Sequence, residues 1–289
     1  MRPKRVDLNH LYELMLGSQK CNYLIVTKDE QRFLRNIPSY QICLIIDWDD
    51  TLTGDIGSWQ IMNNAFSKVG TTKDNILIEK IAREYHKIEK KRSLTDKEMK
   101  GWQRTNLEMY VERGLNLKCL NREMKKAKMN LSGAILLKYL LEKCSKVCIV
   151  SSGVKNVIEE TLFFYGINPN KYGNLQINAT NLFFNKKGVL ESWDDNSIIT
   201  AKKKPWIVHS FSRVWDIEHN NIFAVGDGNT DLNMLDLVSK QATMIFFSPS
   251  HKKELITMEK LNFISQKAHG FVKEDFNIIT NFFFNLSEA

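Results

Sequence analysis

The apolar run Ile42-Cys43-Leu44-Ile45-Ile46 is followed at once by Asp47-Trp48-Asp49-Asp50-Thr51-Leu52-Thr53. Few folds suit such a junction. Consecutive apolar residues predict a strand covered on both faces, as in the middle of a parallel sheet. The strand should end in a loop, yet this loop crowds three carboxylates into four positions. Their mutual repulsion calls for an opposing charge. Oxygen donors without a His or Cys in the loop point to Mg²⁺ rather than zinc. A plain acidic turn is the competing reading, and the rest of the chain decides between them.

The same grammar recurs. Lys146–Val150 reads as a second buried strand ending in Ser151-Ser152-Gly153, with a helix over 154–165. A strand, a small polar turn and a helix N-terminus together favour an anion, through free backbone N–H groups and the helix dipole. Ile222–Val225 is a third strand, ending in Gly226-Asp227-Gly228-Asn229-Thr230-Asp231 and a helix to about Ser239; Ala242–Phe247 is a fourth. Leu131–Lys143 reads as an amphipathic helix capped by Ser132, and Lys202-Lys203-Lys204-Pro205 opens another, with proline in its first turn. Leu175–Asn178 is a further strand, and Leu182–Phe184 should pair with Gly188–Leu190 across the turn at 185–188. A short strand at Tyr23–Val26, helices over 7–16 and 29–36, and a closing helix over 274–286 complete the expected elements. Such alternation predicts an α/β fold: a Rossmann-like, mostly parallel sheet with helices on both faces. Ligands of these sheets bind at the carboxyl ends of the strands, where every polar cluster named here falls.

Between the first acidic loop and the second strand the pattern is helical from Ser58 to about Lys128. Trp59, Met62, Phe66 and Val69 share one face; Ile76, Ile78, Ile81, Tyr85 and Ile88 are assigned to the next. Ser93-Leu94-Thr95-Asp96 supplies a cap for a helix running toward Arg113, which Gly114 ends. This insert predicts an all-helical cap over 55–129, set into a core of residues 41–54 and 130–289, with 1–40 as an extension. The segment from Asp55 to Cys144 carries the whole formal charge excess of +8. A basic surface there suits an anionic substrate, or is simply a set of solvated helix faces. His86, Cys119 and the basic run 87–92 carry no motif and are read as helix-face residues. No apolar stretch approaches a membrane span, and five cysteines without metal-type spacing suit a reducing cytoplasm.

Asp47-x-Asp49-x-Thr51, Ser151, Lys204 and Gly226-Asp227-x-x-x-Asp231 resemble, in order, the four motifs of the haloacid dehalogenase superfamily of phosphotransferases. The resemblance implies that Asp47 is the nucleophile that becomes an aspartyl-phosphate, and that Asp49 protonates the leaving oxygen and later activates water. It implies phosphate binding by Thr51, Ser151 or its neighbour Ser152, and Lys204, with Lys203 the competing lysine. It further implies Mg²⁺ held by Asp47, Asp227 and the Asp49 backbone carbonyl, with Asp231 orienting this group from behind. Asp50 has no implied chemistry and is read as structural. The acid at 49 separates the chain from the superfamily's dehalogenases.

A helical insert between the first two motifs is similar to the phosphoserine-phosphatase-like enzymes and to the cytosolic pyrimidine 5′-nucleotidases. The implied activity is a Mg²⁺-dependent phosphomonoester hydrolase acting on a small anionic metabolite, a nucleoside monophosphate or a phosphoserine-like compound. Trp59, Trp102 and Arg104 are the cap residues expected to read the substrate, by stacking or by pairing with a second anion. Neither a membrane nor a nucleic acid is an expected partner, and the oligomeric state is left open. The alternative is a non-catalytic protein that keeps the phosphate pocket and uses the basic cap to bind a partner.

Overall fold

The computed structural model describes residues 23–25, 43–54, 56–89, 94–143, 145–238, 243–247, 270–273 and 276. The helices expected at 7–16 and 29–36, the closing helix beyond Phe276, Cys21, Cys144 and Asp55 lie outside them.

Its centre is a seven-stranded sheet. In chain order the strands are β1 (Tyr23–Ile25), β2 (Cys43–Ile46), β3 (Lys146–Val154), β4 (Leu175–Thr180), β7 (Ile222–Gly226), β8 (Thr243–Phe247) and β9 (Gly270–Lys273). Across the sheet they run β1-β9-β8-β7-β2-β3-β4. Among the described strands of this sheet only the edge pair β1–β9 is antiparallel; β2 lies parallel between β7 and β3. β5 (Leu182–Phe184) and β6 (Leu190–Trp193) form a separate antiparallel hairpin. Its turn places Gly188 at φ 73, a left-handed conformation that glycine adopts without strain.

Alternation along the central strands explains their uninterrupted apolar sequence. Leu44, Ile46, Val147, Ile149, Phe223 and Val225 face one layer, packed under α5 (Leu131–Glu142) and α6 (Lys155–Phe164). Cys43, Ile45, Cys148, Val150, Ile222 and Ala224 face the other, under α7 (Lys203–Trp215) and α8 (Leu232–Leu237). With both faces covered there is no position for an outward polar residue.

The insert forms α1 (Ser58–Phe66), α2 (Thr72–Glu89), α3 (Asp96–Glu112) and α4 (Leu117–Met124). These helices share a third apolar cluster with Val154, Val157 and the hairpin residues Leu182 and Leu190. The insert's two ends meet: Thr53 and Met129 form an isolated antiparallel bridge, and Asn130 N–H donates to the Leu52 carbonyl at 2.8 Å. Thr95 caps α3 in a reciprocal capping box with Glu98.

Two local expectations are corrected. The cap of α5 is Asn130, not Ser132: the Asn130 side-chain oxygen accepts the N–H groups of Ser132 and Gly133. Ile76 does not share a face with Ile78; it is 59% exposed against 3%, because residues two apart on a helix point to nearly opposite sides.

Candidate active site

β2, β3 and β7 are neighbours, so the loops at their carboxyl ends converge. Asp47 extends the β2–β7 ladder by one step, its N–H donating to the Val225 carbonyl at 2.9 Å. The chain then folds back, with the Trp48 carbonyl accepting from Thr51, Leu52 and Thr53. Trp48 is buried in the core beneath this turn, and Asp50 sits within it at φ 57. That left-handed conformation is one which Asp tolerates better than most residues.

Asp47, Asp227 and Asp231 are all buried, and their ligand oxygens lie within 4.8 Å of one another. The Lys204 ammonium reaches both Asp47 Oδ1 at 2.8 Å and Asp231 Oδ1 at 2.5 Å. Burial works to lower the Lys204 pKa, but the two carboxylates outweigh it and hold it above its usual value. Burial and the Asp231 charge push the Asp47 carboxyl up to about 8, against the pull of Lys204. Among the described residues, one lysine ammonium is shared within this group of three buried acids. Convergent carboxylate oxygens of this kind fit a hard divalent cation. Asp231 is held from the other side by the Gly228 N–H at 2.9 Å. Thr51, expected among the phosphate-binding residues, donates its hydroxyl to Asp227 Oδ1 at 3.0 Å and reaches the site through that acid.

Asp49 lies beside this cluster. Its Oδ1 accepts the Ser58 N–H at 2.7 Å and the Ser58 hydroxyl at 3.0 Å, so the first residue of α1 fixes the carboxyl's orientation. Burial raises its pKa to about 6 despite these two bonds. Oδ2 faces the Ser151 hydroxyl at 3.5 Å. A Cβ on Gly153 would stand 2.5 Å from both Asp49 Oδ2 and Ser58 Oγ; only glycine leaves room for the acid there. A carboxyl poised near neutrality next to a fully buried serine can exchange a proton with a bound group.

The lysines separate cleanly. Lys204 has no exposed surface, whereas the Lys203 ammonium turns away to the carbonyls of Asn196 and Ile198. Ser151 Oγ accepts the Gly153 N–H at 2.8 Å. Ser152 presents its carbonyl to the insert, accepting from Trp59 Nε1 at 2.9 Å and Gln103 Nε2 at 3.2 Å. Trp59 and Trp102 meet at a tilt of 55°, with ring centroids 4.9 Å apart. Arg104 grips Asp195 through two hydrogen bonds, so its charge is already engaged. Ser58 and Gln103 are not among the expected site residues, and Gly153 is expected only as part of the polar turn at 151–153. Ser58 had a signal in its place at a helix start just past the acidic loop; Gln103 had none.

Sheet, strand-end acids and buried lysine together define a phosphatase of the haloacid dehalogenase class. The profile of the pyrimidine 5′-nucleotidase (UMPH-1) family matches residues 54–255, and the chain belongs to that family. A search of curated protein sequences finds no match. Among solved structures, cytosolic 5′-nucleotidase IIIB bound to cytidine is similar at TM-score 0.70 and 15% identity, over 98% of each chain. A phospho-aspartyl intermediate analogue of phosphoserine phosphatase is similar at TM-score 0.55 and 18% identity, over 84% of this chain and 98% of that one. A haloacid-dehalogenase-family hydrolase from Salmonella enterica serovar Typhi gives 0.55 and 16%, over 74% of this chain; the match spans 64% of that protein's length. At these identities the likeness is one of fold. The family match makes the chain a phosphomonoester hydrolase.

Proposed function

We propose that the chain hydrolyses a pyrimidine nucleoside 5′-monophosphate, through an aspartyl-phosphate on Asp47 and with Mg²⁺ as cofactor. The observation that carries this reading is the buried group of Asp47, Asp227 and Asp231 around the single ammonium of Lys204. Support for the nucleotide over phosphoserine is the family match. Asp47, Asp227 and the Asp49 carbonyl would hold Mg²⁺, which supplies charge neutralisation at the phosphoryl oxygens when bound.

An Asp47 carboxylate oxygen attacks phosphorus, the P–O bond to the nucleoside breaks, and Asp49 delivers its proton to the departing 5′ oxygen. Asp49 then takes a proton from water as that water attacks the phosphorus of the acyl phosphate. The bond to Asp47 breaks, and inorganic phosphate leaves. Lys204 and Ser151 stabilise the phosphoryl oxygens in both steps, with Ser152 adjacent. Asp231 holds Lys204, and Thr51 holds Asp227.

Residues 55–129 act in this reading as a cap on a core of 41–54 and 130–289, with 1–40 as an extension. Trp59 and Trp102 would offer an aromatic face to the base, while Arg104 would have to leave Asp195 to meet a second anion. Among the described residues no helix is long and apolar enough to cross a membrane, and Cys119 and Cys148 are free thiols; a cytoplasmic setting suits them.

The test is phosphate release from CMP and UMP, phosphoserine and p-nitrophenyl phosphate, with and without Mg²⁺. Nucleotide turnover that needs Mg²⁺ and is abolished by Asp47→Asn is expected. Full activity of Asp47→Asn would overturn the mechanism, and preference for phosphoserine would overturn the substrate. No turnover of any ester, with tight salt-sensitive binding of nucleic acid, would favour the non-catalytic alternative.

A further inference from the structure

β3 does not keep its register to the end. Val150 pairs with Asn178 and Val154 with Thr180, so β3 advances four residues while β4 advances two. Ser151, Ser152 and Gly153 therefore bulge out of the ladder, and bulges re-aim side chains beside reactive sites. A bulge also strands backbone polar groups, which need partners when buried. Gln103, fully buried on α3, fills this gap. Its amide N–H donates to the Ser152 carbonyl at 3.2 Å, and its amide oxygen accepts the Thr180 hydroxyl at 3.4 Å. Trp59 Nε1 donates to the same carbonyl at 2.9 Å.

The carbonyl of Ser152 and the N–H of Gly153 belong to one planar peptide and point in opposite directions. On its far side that N–H donates to Ser151 Oγ at 2.8 Å. The hydroxyl is thus used as an acceptor on one side, which leaves its hydrogen to be given away on the other, toward Asp49 Oδ2 and the pocket beyond. Hydrogen bonds in series polarise one another.

We propose that Gln103 and Trp59 are positioning residues for Ser151. Two donors from the insert fix and polarise the 152–153 peptide, which turns the serine hydroxyl outward as a donor to a phosphoryl oxygen. The insert thereby reaches the phosphate end of the substrate as well as its leaving group. The inference rests on the reading of Ser151 as a phosphate ligand.

The experiment measures competitive inhibition of CMP hydrolysis by inorganic phosphate, a probe with no base for Trp59 to touch. Gln103→Met should raise the inhibition constant about three- to tenfold, the worth of one neutral hydrogen bond. Trp59→Phe, which keeps the ring, should act in the same direction, and carries the same test should Gln103→Met fail to fold. In a Ser151→Ala background neither change should weaken phosphate binding further, because the group they orient is gone. Losses that simply add to that of Ser151→Ala, or unchanged inhibition in both single variants, would overturn the proposal. Unchanged inhibition in Ser151→Ala alone would instead remove the reading beneath it.

Discussion

Lys204 has neither exposed surface nor freedom to move, since its ammonium is shared between Asp47 and Asp231. Removing it strands two buried acids and withdraws the cation expected at the phosphoryl group. Lys204→Met should therefore lower kcat/KM by on the order of a thousandfold, while Lys203→Met stays within a few fold; steady-state kinetics on CMP read both. In the sequence three lysines stand in a row, and only the place of Lys204 before a proline at a helix start favours it over Lys203. Only the rotation of α7 decides which one faces the acids. Asp74 was equally silent. Its carboxylate accepts the N–H and hydroxyl of Thr71 and meets the half-exposed Arg113, whose hydrogen bonds, with those of Thr71, hold it well below the usual range. A depressed carboxylate pKa adds stability above the unfolded value of about 3.9, and that stability is lost as pH falls through the folded value. Asp74→Asn should lower Tm at pH 7, with the gap to the parent closing as thermal melts are taken further below pH 4.

The elements were legible where a single face-pattern dictates them. Strands β2, β3 and β7 announce themselves because both faces are buried, and the start of α3 is marked by the capping run 93–96, within which the structure uses Thr95. Finer geometry was not. Asn130 and Ser132 are both competent caps, and the choice depends on where the chain leaves its bridge with residue 53. Asn130→Ala should cost about 1 kcal/mol in chemical denaturation, as lost N-caps do. The bulge in β3 leaves no mark in residue type, since ladder register is a property of two strands together. Gly153 is its one trace: the turn appears as small and polar, but the reason for glycine is the acid it admits. Gly153→Ala should keep the circular dichroism spectrum and lose activity on the order of a hundredfold, by displacing Asp49 from its proton-transfer geometry.

At the scale of the whole molecule, the proposed Mg²⁺ site predicts that metal binding is coupled to folding. Any ion held by Asp47 and Asp227 in the folded chain and released on unfolding stabilises the fold by mass action. Mg²⁺ should raise Tm in a concentration-dependent way, chelation should reverse the rise, and Asp227→Asn should abolish it, all by calorimetry without substrate. The strand-end site was readable in advance because acids placed at carboxyl ends need no knowledge of contacts. The interlock of insert and sheet through Gln103 and Ser152 was not, because it joins residues 49 positions apart. Longer spans matter for another reason. Thr51 bonds to Asp227 across 176 positions, and Lys204 to Asp47 across 157. A ribosome that reads this message delivers Asp47 early and Lys204, Asp227 and Asp231 late. The buried group therefore assembles only when β7 docks beside β2, a strand made long before.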